Sequence, residues 1–170
     1  MCPATDPVQL FCLPHAGGSA LAYRRWDTRT PSDVLVRPVE LPGHGARMRE
    51  PLVGEFDRLV SALAEEISAQ IGGRYALFGH SFGALLAFEL ARTLRHHVGE
   101  PVILLVSGRN GPSLPAAEPL LHALSEDPLL RGLSAFGGTD ERVLADPDLR
   151  ALFLPIIRAD LRLAETYRRA

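Results

Sequence analysis

The stretch Tyr75 to Leu86, YALFGHSFGALL, constrains the fold of this chain more than any other. It passes from an apolar segment that reads as a buried strand (Ala76, Leu77, Phe78), through Gly79-His80-Ser81-Phe82-Gly83, into a helical pattern opening at Ala84. A serine at the centre of G-x-S-x-G, with a strand before it and a helix after it, sits on a turn so sharp that its backbone is strained and its Oγ stands clear of the sheet edge. The flanking glycines follow from the same geometry, because a Cβ at either would collide with the neighbouring strand or helix. The helix then aims its N-terminal amides and positive dipole end at the serine, where negative charge would develop during acyl transfer. With 15 Gly and 9 Ser in 170 residues the pattern arises by chance about 0.07 times. A Gly-rich turn with an idle serine is the competing reading, and the strand and helix on either side argue against it.

The rest of the chain supplies the sheet. Val8 to Leu13 (VQLFCL) is an apolar run ended by Pro14, a plausible central strand. His15-Ala16-Gly17-Gly18-Ser19 follows as a turn, and Ser19 can cap a helix carrying Leu21, Tyr23 and Trp26. These glycines are not a phosphate loop, since no Gly-Lys-Ser/Thr ending follows. Val34 to Leu41 is a second strand whose Pro38 lacks a ladder donor and so belongs at an edge. Glu55 to Ile71 places Phe56, Leu59, Val60, Leu63, Ile67 and Ile71 on one helical stripe, closed by Gly72-Gly73. The helix after Ser81 runs to about Leu94, and Pro101 to Ser107 (PVILLVS) is apolar enough for a parallel strand covered on both faces. Alternating strands and helices predict a parallel sheet flanked by helices, with the site at the carboxyl ends of the strands.

From Gly108 the alternation stops. Ser125 to Phe136 and Asp146 to Arg169 are helical patterns, the second with Asp146 as N-cap, Pro147 at its first position and Pro155 expected to kink or break it. The expected organisation is a partial core over 1–107 and a helical lid or cap over 108–170.

Composition excludes several classes. A formal charge of -2 and no basic block give no field for nucleic acid, and no run is long enough to span a membrane. All 18 basic residues are Arg, so no lysine serves as base, Schiff-base former or phosphate anchor. Two cysteines, Cys2 and Cys12, make no disulfide framework, and a reducing cytoplasm is expected, with Cys12 as a small buried apolar side chain.

Several motifs together carry a family resemblance. Pro14-His15-Ala16-Gly17-Gly18-Ser19, Leu41-Pro42-Gly43 with Arg47, Gly79-His80-Ser81-Phe82-Gly83-Ala84 and Ser107-Gly108-Arg109, followed by a helical insertion, resemble the type II thioesterases. These are α/β-hydrolases of polyketide and nonribosomal peptide synthase systems. The resemblance implies hydrolysis of acyl thioesters from the phosphopantetheine arm of acyl or peptidyl carrier proteins, with no cofactor or metal of the enzyme's own. It implies Ser81 as nucleophile and the backbone N–H groups of Ala16 and Phe82 as the oxyanion hole, which agrees with where this architecture offers donors. His44 stands where many relatives have Arg. His15 and His80 are expected to make structural hydrogen bonds.

The triad order of this fold is Ser, then Asp or Glu, then His. His96 and His97 lie about fifteen residues along a helix leading away from Ser81, roughly 22 Å at 1.5 Å per residue, and cannot reach it. His122 precedes the cap and would need an unusual lid fold. The resemblance places acid and base on loops after two further strands, so neither is expected in this chain, which reads as a C-terminally truncated enzyme of little activity, with Val102 to Ser107 an uncovered apolar edge. Another ester or amide hydrolase of this fold, and a non-catalytic carrier-binding fragment, remain as alternatives.

Overall fold

The computed structural model describes residues 6–114, 118–137 and 139–168. Cys2 lies outside the described residues, and the last helix, expected to reach Arg169, ends at Thr166 with Tyr167 in a non-helical conformation. Strands β1 (Val8–Leu13), β2 (Val34–Pro38), β3 (Tyr75–His80) and β4 (Ile103–Ser107) form one parallel sheet in the order β2-β1-β3-β4. Helix α1 (Phe56–Ser68) joins β2 to β3 and α2 (Phe82–Leu94) joins β3 to β4. Beyond them lie α3 (Glu126–Phe136), α4 (Glu141–Ala145) and α5 (Pro147–Thr166).

Side chains alternate across the sheet as the period of two requires. Phe11, Leu13, Tyr75 and Leu77 enter the main core with Leu59, Leu63 and Ile67 of α1 and Leu85, Leu86 and Leu90 of α2. Leu10, Cys12, Ala76 and Phe78 face the other way, onto Tyr23 and Trp26. Cys12 is fully buried, and burial pushes its thiol up to about 12, so it behaves as an apolar side chain. The helix expected after Ser19 is only a single 3₁₀ turn, Ala20–Tyr23, although Ser19 Oγ does accept from the Leu21 amide.

Pro38 ends β2, which lies at the edge its missing donor demanded. The apolar β4 is not covered on both faces. It is the opposite edge among the described strands, and Val102, Ile103 and Val106 are about half exposed.

The second helical region has a core of its own, built from Leu121, Leu129, Leu133, Leu154 and Ile157. Helix α4 was not anticipated: five residues are too few to show a period. Asp146 caps α5 as expected, accepting from the Asp148 and Leu149 amides. Pro155 does not break α5, because both flanking turns are anchored by burial: Leu154 and Ile157 in the upper core, Leu163 and Ala164 in the main one. Helix α5 therefore ties the two cores together.

A 170-residue polypeptide is expected to self-associate through β4 in size-exclusion chromatography, and Val106→Lys to return it to monomer without lowering its melting temperature. A wild-type monomer would contradict this.

Candidate active site

Ser81 is the one non-glycine with positive φ among the described residues, at φ 54 and ψ -112. Such a conformation costs about 1–3 kcal/mol and persists only where its surroundings enforce it. Here they do. The Ser81 N–H donates to the Ser107 carbonyl at 2.8 Å, and the Ala84 N–H to the Ser81 carbonyl at 3.0 Å, fixing the residue between the end of β4 and the first turn of α2. A Cβ on Gly79 would lie 2.0 Å from the Gly83 carbonyl oxygen, and one on Gly83 2.2 Å from that of Leu13. Only glycine at both positions lets α2 start at Phe82, two residues earlier than the apolar pattern implied.

Register brings a second loop to the same place. Leu13 of β1 is paired with Gly79 of β3, so the chain leaving β1 through Pro14, His15 and Ala16 passes beside the elbow. This is the switch point of the sheet, where strand order reverses and connections leave in opposite directions. The Gly18 N–H donates to the His15 carbonyl at 2.9 Å and closes a turn around Ala16 and Gly17. The Ala16 and Phe82 amides donate to no described residue. Both amides, one on the turn after β1 and one at the first residue of α2, are therefore left able to donate to an acceptor. The dipole of α2 adds positive potential there.

The turn is held from behind. The Gly17 N–H donates to Asp160 Oδ2 at 2.8 Å, and His44 Nε2 lies 2.9 Å from the same oxygen, both side chains being almost fully buried. His44 Nδ1 is 2.9 Å from the Pro42 carbonyl. Burial alone would lower the His44 pKa, but the hydrogen bond and charge of Asp160, the Pro42 carbonyl and the charge of Glu40 outweigh it and raise the pKa above the ordinary 6.5. Asp160 was missed on the sequence, though it carried a signal: a carboxylate among Ile156, Ile157, Leu163 and Ala164 on the buried face of a helix.

The other histidines are placed as follows. His80 Nδ1 is 3.2 Å from Ser107 Oγ, and its ring meets that of His15 edge-on at 6.3 Å between centroids. His122 Nδ1 is 2.6 Å from Glu165 Oε2, whose carboxylate also accepts from the Leu121 and His122 amides. His96 and His97 follow the far end of α2. Arg47 is spent on Glu50, Glu66 and the Glu40 carbonyl, and Arg109 donates to the Ala164 carbonyl. No group of three or more His, Cys, Asp or Glu among the described residues is arranged to hold a metal ion, and no described helix is long and apolar enough to cross a membrane.

Between the His15–Ser19 turn and the helical region lies a cavity of about 270 Å³, lined by His15, Ala16 and Gly18 on one side and Val143, Phe153 and Ile157 on the other.

A parallel sheet flanked by helices, with a strained serine between β3 and α2 at its switch point, defines the chain as an α/β-hydrolase. A family model described as the thioesterase domain matches residues 8–170, and the chain belongs to that family. It is 38% identical over 94% of its length to the gramicidin S biosynthesis protein GrsT of Aneurinibacillus migulanus, covering 63% of that protein. It is 43% identical over 94% of its length to the thioesterase PikA5 of Streptomyces venezuelae, covering 57% of it. Among solved structures, the type II thioesterase BorB from the borrelidin biosynthetic cluster superposes with a TM-score of 0.82 at 40% identity, over 99% of this chain and 68% of that one. The chain thus spans about three fifths of the length of these two curated relatives.

The His44–Asp160 pair predicts how stability depends on pH. A raised folded pKa means a contribution that is complete below the unfolded value of about 6.5 and is lost as pH rises through the higher folded value. In thermal melts from about pH 5 to 9, the advantage of wild type over His44→Gln is expected to shrink across that window. Parallel profiles would show that the pair does not titrate as described.

Proposed function

We propose that this chain carries the nucleophile and oxyanion hole of a thioesterase that releases acyl groups from the phosphopantetheine arm of an acyl or peptidyl carrier protein. What supports the reading is the strained conformation of Ser81 at the start of α2, together with amides at Ala16 and Phe82 that donate to no described residue. Family membership and relatives named for gramicidin S and borrelidin biosynthesis support the substrate class.

Ser81 Oγ attacks the thioester carbonyl, forming a C–O bond, and its proton passes to a base. The carbonyl oxygen becomes an oxyanion facing the Ala16 and Phe82 amides, each worth about 3–4 kcal/mol of transition-state stabilisation. Collapse breaks the C–S bond, the pantetheine thiol leaves with a proton, and water then hydrolyses the acyl-serine to a carboxylic acid. The phosphopantetheine arrives with the carrier, so the chemistry asks no cofactor of this chain. The helices α3 to α5 act as a lid, and the cavity beneath them accommodates part of the substrate.

No described residue is assigned here as the triad acid or base. His44 and His122 are each engaged with a carboxylate, and His96 and His97 lie at the far end of α2. The 170-residue polypeptide alone is accordingly expected to turn over slowly, by about four orders of magnitude or more.

In a preparation that hydrolyses acyl-carrier thioesters, Ser81→Ala is expected to lower kcat about 10⁴-fold or more. Steady-state assays on acyl-phosphopantetheinyl carrier and on nitrophenyl esters check it. A preference for the simple esters would favour a general esterase, and carrier binding without turnover a non-catalytic module.

A further inference from the structure

The Gly17 amide, one residue beyond Ala16, is held by a carboxylate 143 residues away in sequence. The donors and acceptors around that carboxylate define its state. The Pro42 carbonyl can only accept, so His44 Nδ1 carries a proton. With Asp160 as the carboxylate, its Oδ2 accepts from both the Gly17 N–H and Nε2–H, the arrangement of a doubly protonated His44. The charged groups facing it are Asp160 on α5 and Glu40 in the segment after β2, consistent with its raised pKa. On the same helix, Ile157 sits one turn before Asp160. A Cβ on Gly17 would lie 2.3 Å from Ile157 Cγ1, and Gly17 has φ +73. Helix α5 therefore grips the Gly17 peptide by both a packing contact and a charge-assisted hydrogen bond.

We propose that Asp160 and His44 are positioning residues for the oxyanion hole: the His44 imidazolium orients the Asp160 carboxylate, and the carboxylate fixes the Gly17 peptide so that the preceding Ala16 N–H stays turned toward Ser81. This rests on the reading of Ala16 as an oxyanion donor. It makes the seating of α5, a helix of the proposed lid, a condition for a formed oxyanion hole. Neither residue touches the reacting atoms.

The test pairs a structural readout with a kinetic one. Amide hydrogen exchange at Gly17 is followed by NMR in wild type, in Asp160→Asn, which keeps the side-chain shape, and in His44→Gln, which carries the test should the first variant fail to fold. Acyl-thioester hydrolysis is measured on the same variants, in a preparation whose wild type shows it. Gly17 exchange is expected to accelerate at least about tenfold while protection in β1 and β3 is unchanged, and kcat to fall about 10- to 100-fold with KM within about twofold. Unchanged Gly17 exchange, or faster exchange with unchanged kcat, would overturn the proposal. A wild-type protein that hydrolyses no thioester would sink the functional reading and the role of Ala16 with it, while Gly17 exchange would still report whether the clamp exists.

Discussion

The structure depends on one close approach: the first turn of α2 lies against the backbone at the end of β1, with Gly83 so near Leu13 and Pro14 that no side chain fits between them. That contact sets the angle at which the chain turns from β3 into α2, and hence the positive φ forced on Ser81. It also brings the loop after β1 to the serine, so nucleophile and both candidate oxyanion donors come from one packing event. The cost of the strained serine, about 1–3 kcal/mol, is readily offset. Phe82, Leu85 and Leu86 are all buried by the same helix, each worth about 1.5–3 kcal/mol, an upper bound for a chain that is partly compact when unfolded.

The second organising element is α5. Its lower turns belong to the main core and its upper turns to the core of the helical region, and between them Ile157 and Asp160 face the turn that carries Ala16. A buried ion pair is a poor source of net stability, because desolvation consumes most of its attraction. The His44–Asp160 pair is better understood as a device for orientation. It is placed where a peptide plane must point one way, and it links three segments that share no strand or helix: the loop after β2, the turn after β1, and α5.

What could be read from residues alone divides along physical lines. The elbow was legible because glycines at fixed spacing around a serine leave a local trace, and Pro38 and Asp146 were legible because a missing donor and a capping carboxylate act within one turn. Longer-range facts left less. The His44–Asp160 contact spans 116 residues and appears in the sequence only as a histidine in a glycine-rich loop and an odd carboxylate on an apolar stripe. Apolar content in β4 implied burial on both faces, whereas the expectation of an uncovered edge at Val102 to Ser107 agrees with the edge position and exposure of the strand among the described residues. Pro155 marked a break that did not occur, since tertiary anchoring of α5 on two cores outweighs one lost backbone bond.

On the proposed function, Ser81 and the amides of Ala16 and Phe82 form one preorganised site. The decisive experiment is a crystal structure of the protein after reaction with an alkyl fluorophosphonate. The account predicts a covalent bond from Ser81 Oγ to phosphorus and a phosphonyl oxygen about 3 Å from both amide nitrogens. An unmodified Ser81, or an adduct whose oxygen points away from residues 16 and 82, would contradict it.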